Sequence, residues 1–220
     1  MIQIVTIQFP EIFLQARDAH KLRGYFGNLF SEYSPLLHNH YETGEFRYNY
    51  PLVQYKVLNR VPTLVALNEG AQLLTQLFLR IRELNIDGQV YKVQSKNIKS
   101  EQVEAGYSEV LHEYSFLTLW MGLNQQNHLK YTREDTSEGR QKILNRIIIG
   151  NVLSFFKGLD IYLEPGQRLM TRCNMEEKST RFKDKDMMAF SGSFVMNAAL
   201  PSGIGLGKAV SRGFGTIAKK

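Results

Sequence analysis

The sequence predicts an α+β fold of two tandem ferredoxin-like (RRM-like, βαββαβ) units, the second with a reduced helix and a C-terminal glycine-rich loop. Three observations lead there. The first hundred residues alternate strand-like and helix-like hydrophobic periods in the order β-α-β-β-α-β. The second half repeats that order in part, around one strong helical pattern. The stretch GIGLGKAVSRGFG then places five glycines in thirteen residues. A chain of 220 residues, 43% hydrophobic and 22% charged, suits one sizeable domain or two small ones and excludes wholesale disorder and fibrous repeats. The expected division is an N-terminal domain over 1–105 and a C-terminal domain over 106–220.

Residues 2–9 (IQIVTIQF) are β-branched and aromatic, stop at Pro10, and read as a strand. From Arg17 to Tyr33, the residues Leu22, Phe26, Leu29, Phe30 and Tyr33 recur at helical spacing, and Ser34 and Pro35 end the pattern. FRYNY (46–50), LVQYKVLN (52–59) and VPTLVALN (61–68) have strand composition broken by Pro51 and Pro62, which predicts a hairpin or meander. A second helix is expected over 69–84 from Leu74, Phe78, Ile81 and Leu84, and a strand over 89–99. After a polar stretch near 100–108, VLHEYSFLTLW (110–120) reads as a strand. Residues 138–157 read as a helix with Leu144, Ile148, Val152 and Phe155 on one face. Segments 168–176 and 189–198 are expected to pair across a charged turn, KSTRFKDKD (178–186).

The 27 Lys and Arg outnumber the 21 Asp and Glu, and the net charge of +6 favours a polyanionic partner. The single cysteine, Cys173, excludes an internal disulfide. No apolar run approaches the ~18 residues that span a bilayer, and the start MIQIVTIQFPEIF has no secretory pattern. A cytoplasmic protein without a membrane segment is the expectation. CxxC, HExxH, GxSxG and GxGxxG are absent, and Ala209 after Lys208 breaks the P-loop pattern, so no metal and no cofactor is expected.

Gly203, Gly205, Gly207, Gly213 and Gly215 allow positive φ and close backbone approach, so their N–H groups could form an anion-binding concavity with charge from Lys208 and Arg212. A tight turn packed against a helix is the competing explanation. Lys56 and Arg60 beside Tyr55 suit phosphate contact and base stacking, and equally suit a solvated strand face. Arg140, Lys142 and Arg146 read as a solubilising helix face. Lys183 and Lys185, alternating with Asp184 and Asp186, read as an exposed hairpin tip able to touch RNA. His20, His112 and His128 read as structural or surface residues.

GIGLGKAVSRGFG, followed by Thr216 and Ile217, resembles the C-terminal glycine-rich loop of the RAMP superfamily of CRISPR-associated proteins, in particular the endoribonucleases that process CRISPR precursor RNA. LRGYFGNL (22–29) is similar to the first-helix signature of that family, followed by a histidine-bearing loop, here LLHNHYE. PLVQYKVLNRVPTLVALNEG is similar to the two strands and second-helix start of its short subgroup. The resemblance implies metal-independent cleavage of CRISPR repeat RNA in precursor transcripts to mature guide RNAs, leaving 5′-hydroxyl and 2′,3′-cyclic phosphate ends. It also implies RNA contact by Gly203, Gly205, Gly207, Lys208, Arg212, Gly213, Phe214 and Gly215.

RNA carries its own nucleophile, the 2′-hydroxyl, so cleavage needs alignment, a base and an acid. Histidine titrates in the right range. With the family's catalytic histidine in this loop, His40 is favoured as the main acid–base group and His38 as the second, with their order open. Tyr48 is chosen over Tyr41 and Tyr50 to contact the phosphate or 2′-hydroxyl. Gly27 and Glu45 stand where some relatives carry tyrosine and lysine, which favours a histidine-centred mechanism over a three-residue site. The implied partner is CRISPR repeat RNA, with room for a homodimer and for association with a CRISPR effector complex. Two rival readings are a non-catalytic RNA-binding RAMP subunit of such a complex and a phosphate-ligand enzyme holding a nucleotide in the glycine loop.

Overall fold

The computed structural model describes residues 1–29, 50–182 and 185–220. The expected strand residues 46–49 and the hairpin-tip residues Lys183 and Asp184 lie outside these. Contacts divide the chain into unit 1, Met1–Val103 with Ser211–Gly213, and unit 2, Glu104–Val210 with Phe214–Lys220. Among the described residues, no helix is long and apolar enough to cross a membrane.

Unit 1 runs β1 (Ile2–Gln8), α1 (Ala19–Leu29), β2 (Val53–Leu58), β3 (Val61–Leu67), α2 (Glu69–Leu77), β4 (Glu83–Ile86), β5 (Gln89–Lys92) and β6 (Asn97–Val103). Its main sheet has the order β2-β3-β1-β6, antiparallel throughout, which is the ferredoxin-like arrangement with β6 as the last strand. Helical spacing puts Ala19, Leu22 and Phe26 on one face of α1 and Ala71, Leu74 and Leu77 on one face of α2. Both faces bury against Val5, Ile7 and Phe9 of the sheet side. The rings of Phe9, Phe26 and Tyr55 stack in series, with centroids 6.3 and 5.8 Å apart. Asn68 ties the start of α2 to β1, its N–H donating to the Gln3 carbonyl (2.9 Å) and its Oδ1 accepting from the Gln3 N–H (3.1 Å).

Three expectations for unit 1 are corrected. The second helix ends at Leu77 with a 3-10 turn over Phe78–Arg80, where Lys96 Nζ donates to the carbonyls of Phe78 (2.5 Å) and Ile81 (2.6 Å). A lysine ammonium on the last carbonyls is a favourable stop for a helix. Ile81 and Leu84 are buried from extended chain, although their spacing continues the helical pattern. The segment 89–99 is not one strand, because Asp87 and Gly88 at positive φ turn a separate β4–β5 hairpin before β6. Pro62 lies inside β3 opposite Val57, near the strand's first residue, where its missing N–H is tolerated.

Unit 2 runs β7 (Gly106–Phe116), α3 (Gln125–Thr132), α4 (Ser137–Gly158), β8 (Thr171–Phe182), β9 (Lys185–Ala199) and β10 (Ile217–Lys219). Its sheet order, β10-β7-β9-β8, repeats the arrangement of unit 1, with no second helix before the last strand. Thr136 Oγ1 caps α4 by accepting from the Gly139 N–H (3.1 Å). Leu144, Ile148, Val152 and Phe155 are buried, as their spacing predicts. Gln141 donates to the Cys173 carbonyl (2.6 Å) and Asn145 accepts from the Cys173 N–H (2.9 Å), so α4 grips β8 through both polar groups of one peptide residue. The charged run 178–186 is mostly strand rather than turn, with Lys178 opposite Ala189 and Arg181 opposite Asp186.

The C-terminal end of β9 is fixed by Tyr114. Its hydroxyl donates to the Ala198 carbonyl (2.8 Å) and accepts from the Leu200 N–H (2.9 Å), and the ring is fully buried. Tyr114→Phe strands both backbone groups and should cost about 1–3 kcal/mol. The check is urea unfolding, where the midpoint should fall while the slope stays constant; an unchanged midpoint contradicts the bridging role.

Candidate nucleic-acid interface

Residues 200–216 stand where a second helix would, and a hydrogen-bonded ladder satisfies their backbone. Gly205 bridges Thr216 in antiparallel fashion. Around that bridge the N–H groups of Gly203, Leu206 and Ile217 donate to the carbonyls of Ile217 (2.8 Å), Gly215 (2.9 Å) and Ile204 (2.9 Å). The Gly215 and Lys208 N–H groups donate to the carbonyls of Leu119 and Met121 (both 2.9 Å), and the Thr216 N–H to Thr118 Oγ1 (2.9 Å). This corrects the expectation of an open row of donors for an anion at Gly203, Lys208 and Gly215. At Gly215, φ is 64° and a Cβ would collide with the Leu206 carbonyl, so close packing requires the glycine there. Gly205, Gly213 and Gly215 are buried and Gly203 and Gly207 half-buried, while Lys208 is exposed and Arg212 and Phe214 half-exposed.

The tip of the segment belongs to unit 1. A 3-10 turn at Val210–Arg212 leads into Gly213 at φ 89°, where a Cβ would lie 3.0 Å from Ala19 Cβ and 3.2 Å from the Tyr55 carbonyl. Ala19 and Arg23 are one helical turn apart on α1 and so share a face. Arg23 is half-buried; burial first, and then the nearby positive charge of Arg212, lower its pKa, while Tyr55 acts in the opposite sense. Arg23 thus lies near Arg212, although the first-helix signature that contains it did not mark it as a ligand residue. Its signal is the i, i+4 relation to Ala19, which means nothing until Gly213 is known to sit there.

The other expected site residues separate. His38, His40 and Tyr48 lie outside the described residues. Lys56 is corrected: it is 0% exposed, and its neighbour Tyr55 is 1% exposed, so both faces of β2 are covered and neither residue is on a solvated face. Burial pushes the Lys56 ammonium down to about 7 and raises the Tyr55 phenol. Arg60 is exposed on the tight Asn59–Arg60 turn, its guanidinium 5.8 Å from the centre of the exposed Phe13 ring. Lys208 is exposed, and partial desolvation lowers its pKa. A cleft of about 720 Å³ opens elsewhere in unit 1, lined in part by His20, Tyr25, Asn28 and Asn85, with Lys21 bound there to Asp18 (2.9 Å) and Asp87 (2.5 Å). Among the described residues, no three His, Cys, Asp or Glu side chains converge as metal ligands.

Lys56 makes stability depend on pH. The folded protein releases its proton near 7, whereas the group's ordinary value is 10.5. The unfolded chain therefore binds more protons between those values, and stability rises with pH across the window. The melting temperature should climb from about pH 7 to about pH 9.5, and Lys56→Met should remove most of that climb. An equal slope in the variant would show that Lys56 keeps an ordinary pKa.

Comparison with known proteins places this architecture. Residues 1–104 match the Cas6b N-terminal domain and residues 106–220 the Cas6b C-terminal domain. A crystal structure of Cas6b is 32% identical, with 100% of this chain and 99% of that chain covered and a TM-score of 0.93. The crystal structure of the CRISPR RNA processing endoribonuclease Cas6b is 30% identical over the same shares, with a TM-score of 0.80. An uncharacterised protein of Methanocaldococcus jannaschii is 34% identical over 143 residues, which are 64% of this chain and 95% of that protein. With both units matched along their length, the chain belongs to the Cas6b family.

Proposed function

We propose that this chain is a metal-independent endoribonuclease that cuts CRISPR repeat RNA in precursor transcripts to give guide RNAs. The observation that carries the reading is its 30% identity, over the whole chain, to a protein described as a CRISPR RNA processing endoribonuclease. The 2′-hydroxyl beside the scissile phosphate forms the new O–P bond while the bond to the 5′-oxygen breaks, leaving a 2′,3′-cyclic phosphate and a 5′-hydroxyl. One of His38 and His40 takes the 2′-hydroxyl proton, and the other protonates the departing 5′-oxygen. Tyr48 contacts the phosphate or the 2′-hydroxyl.

RNA is held through phosphate charge and exposed aromatic surface. Lys208, Arg212 and Phe214 offer these along the glycine-rich segment, and Arg60 with Phe13 offers them at the β2–β3 turn. The half-buried Gly203 is the glycine that RNA backbone approaches, while Gly205, Gly207, Gly213 and Gly215 shape the segment from within. The reaction takes place in the cytoplasm of a prokaryote. A second copy of the chain and a CRISPR effector complex are the protein partners compatible with this activity.

Labelled repeat RNA from a neighbouring CRISPR array, incubated with the protein in excess EDTA, should be cut once per repeat. A 2′-deoxy substitution at the cut site should abolish cleavage. The double variant His38→Ala, His40→Ala should slow it by at least about 100-fold, the lower end of general acid–base contributions. Undiminished cleavage by that variant removes the histidine mechanism; tight binding by the unaltered protein without any cut makes it a guide-binding subunit instead.

A further inference from the structure

The strongest feature outside the expected site is the convergence of two arginines from opposite ends of the chain. Arg212 immediately precedes Gly213, whose backbone sits on Ala19 and on the Tyr55 carbonyl. Arg23 is the next residue along that face of α1, one turn from Ala19. Both side chains are partly open to solvent, and Arg23 lies where the charge of Arg212 is felt. An anion between two arginines in a partly desolvated place is attracted from both sides. The packing around them is rigid: Phe26 and Tyr55 stack at 5.8 Å beneath α1, and Gly213 leaves no space for a larger residue against Ala19. Arginine also presents a planar fork of donors that matches the oxygens of a phosphate.

We propose that Arg23 and Arg212 grip one and the same phosphate of the RNA backbone, so that α1 takes part in binding together with the glycine-rich segment. This rests on the RNA-cleaving reading above and adds a residue and a stoichiometry to it. Arg23 supplies affinity and register, and the acid–base chemistry stays with the histidines. The shared phosphate gives an anionic substrate a fixed point on α1, whose inner face is buried in the core of unit 1.

The test is a double-variant cycle read by binding. The probe is repeat RNA from a neighbouring array, made uncleavable by a 2′-deoxy group at the cut site, and dissociation constants are measured at several salt concentrations. Arg23→Gln and Arg212→Gln should each weaken binding by about tenfold or more, the range for a hydrogen bond to a charged group. If both hold one phosphate, the double variant should be no more than about threefold weaker than the worse single variant, since contacts that share a partner are not additive. The slope of log affinity against log salt should flatten by about 0.7, and by the same amount in the double variant, because one single-strand phosphate is lost either way. Arg23→Lys should keep most of the salt slope while losing part of the affinity.

Multiplying effects, or a slope that flattens twice, assigns the arginines to different phosphates and overturns the proposal. Unchanged binding in Arg23→Gln overturns it as well. Melting curves accompany each variant, and if Arg23→Gln does not fold, the Arg23→Lys and Arg212→Gln pair supplies the same cycle. Cleavage of the unmodified repeat by the unaltered protein is measured in parallel. Its absence counts against the nuclease reading alone and leaves the binding cycle to decide the shared phosphate.

Discussion

The seating of Gly213 on Ala19 and the Tyr55 carbonyl is the constraint through which the two ends of the chain meet. α1 can offer a small residue there because its buried face is otherwise filled by Leu22 and Phe26, which pack against the sheet. The aromatic series Phe9, Phe26 and Tyr55 makes that face stiff. A side chain at position 213 would need both positive φ and space that Ala19 occupies, so only glycine lets Ser211–Gly213 join unit 1. Two arginines in the neighbourhood are placed by that approach: Arg212 by sequence adjacency, Arg23 by helical spacing.

The glycine-rich segment illustrates how one composition serves packing and binding at once. Its inner amides pair with protein carbonyls, which removes the cost of burying them. What it offers outward is therefore side-chain chemistry, from Lys208, Arg212 and Phe214, rather than bare backbone donors. The same economy appears in α4, where Gln141 and Asn145 satisfy both polar groups of Cys173 and hold the helix to β8 beside the Arg140–Glu177 ion pair (3.4 Å).

Burial also redistributes charge. Lys56 is dehydrated and its ammonium form is penalised, so part of the net positive charge counted along the chain is not surface charge at all. Lys21, Lys99, Lys142, Lys178 and Lys220 are each matched to a carboxylate. Composition alone therefore overstates the positive charge that bears on a polyanion.

Local periodicity carried the main helices and strands of both units, the buried face of α4, and the missing helix before β10, though not α3, because those properties depend on residues within a few positions of one another. The Asp87–Gly88 hairpin was written in the same local code. It was masked because Ile81 and Leu84 extend the α2 spacing from a strand, and a hydrophobic residue at the right interval does not reveal which backbone carries it. Lys56 looked like a surface cation since strand alternation cannot show that both faces of β2 are covered. The pairing of Arg23 with Arg212 and the occupation of the glycine amides needed the folded chain. The first is set by an approach between opposite ends of the chain and the second by pairing of the segment with itself and with Thr118–Met121, and such approaches follow from the joint packing of many side chains rather than from the identity of any neighbour.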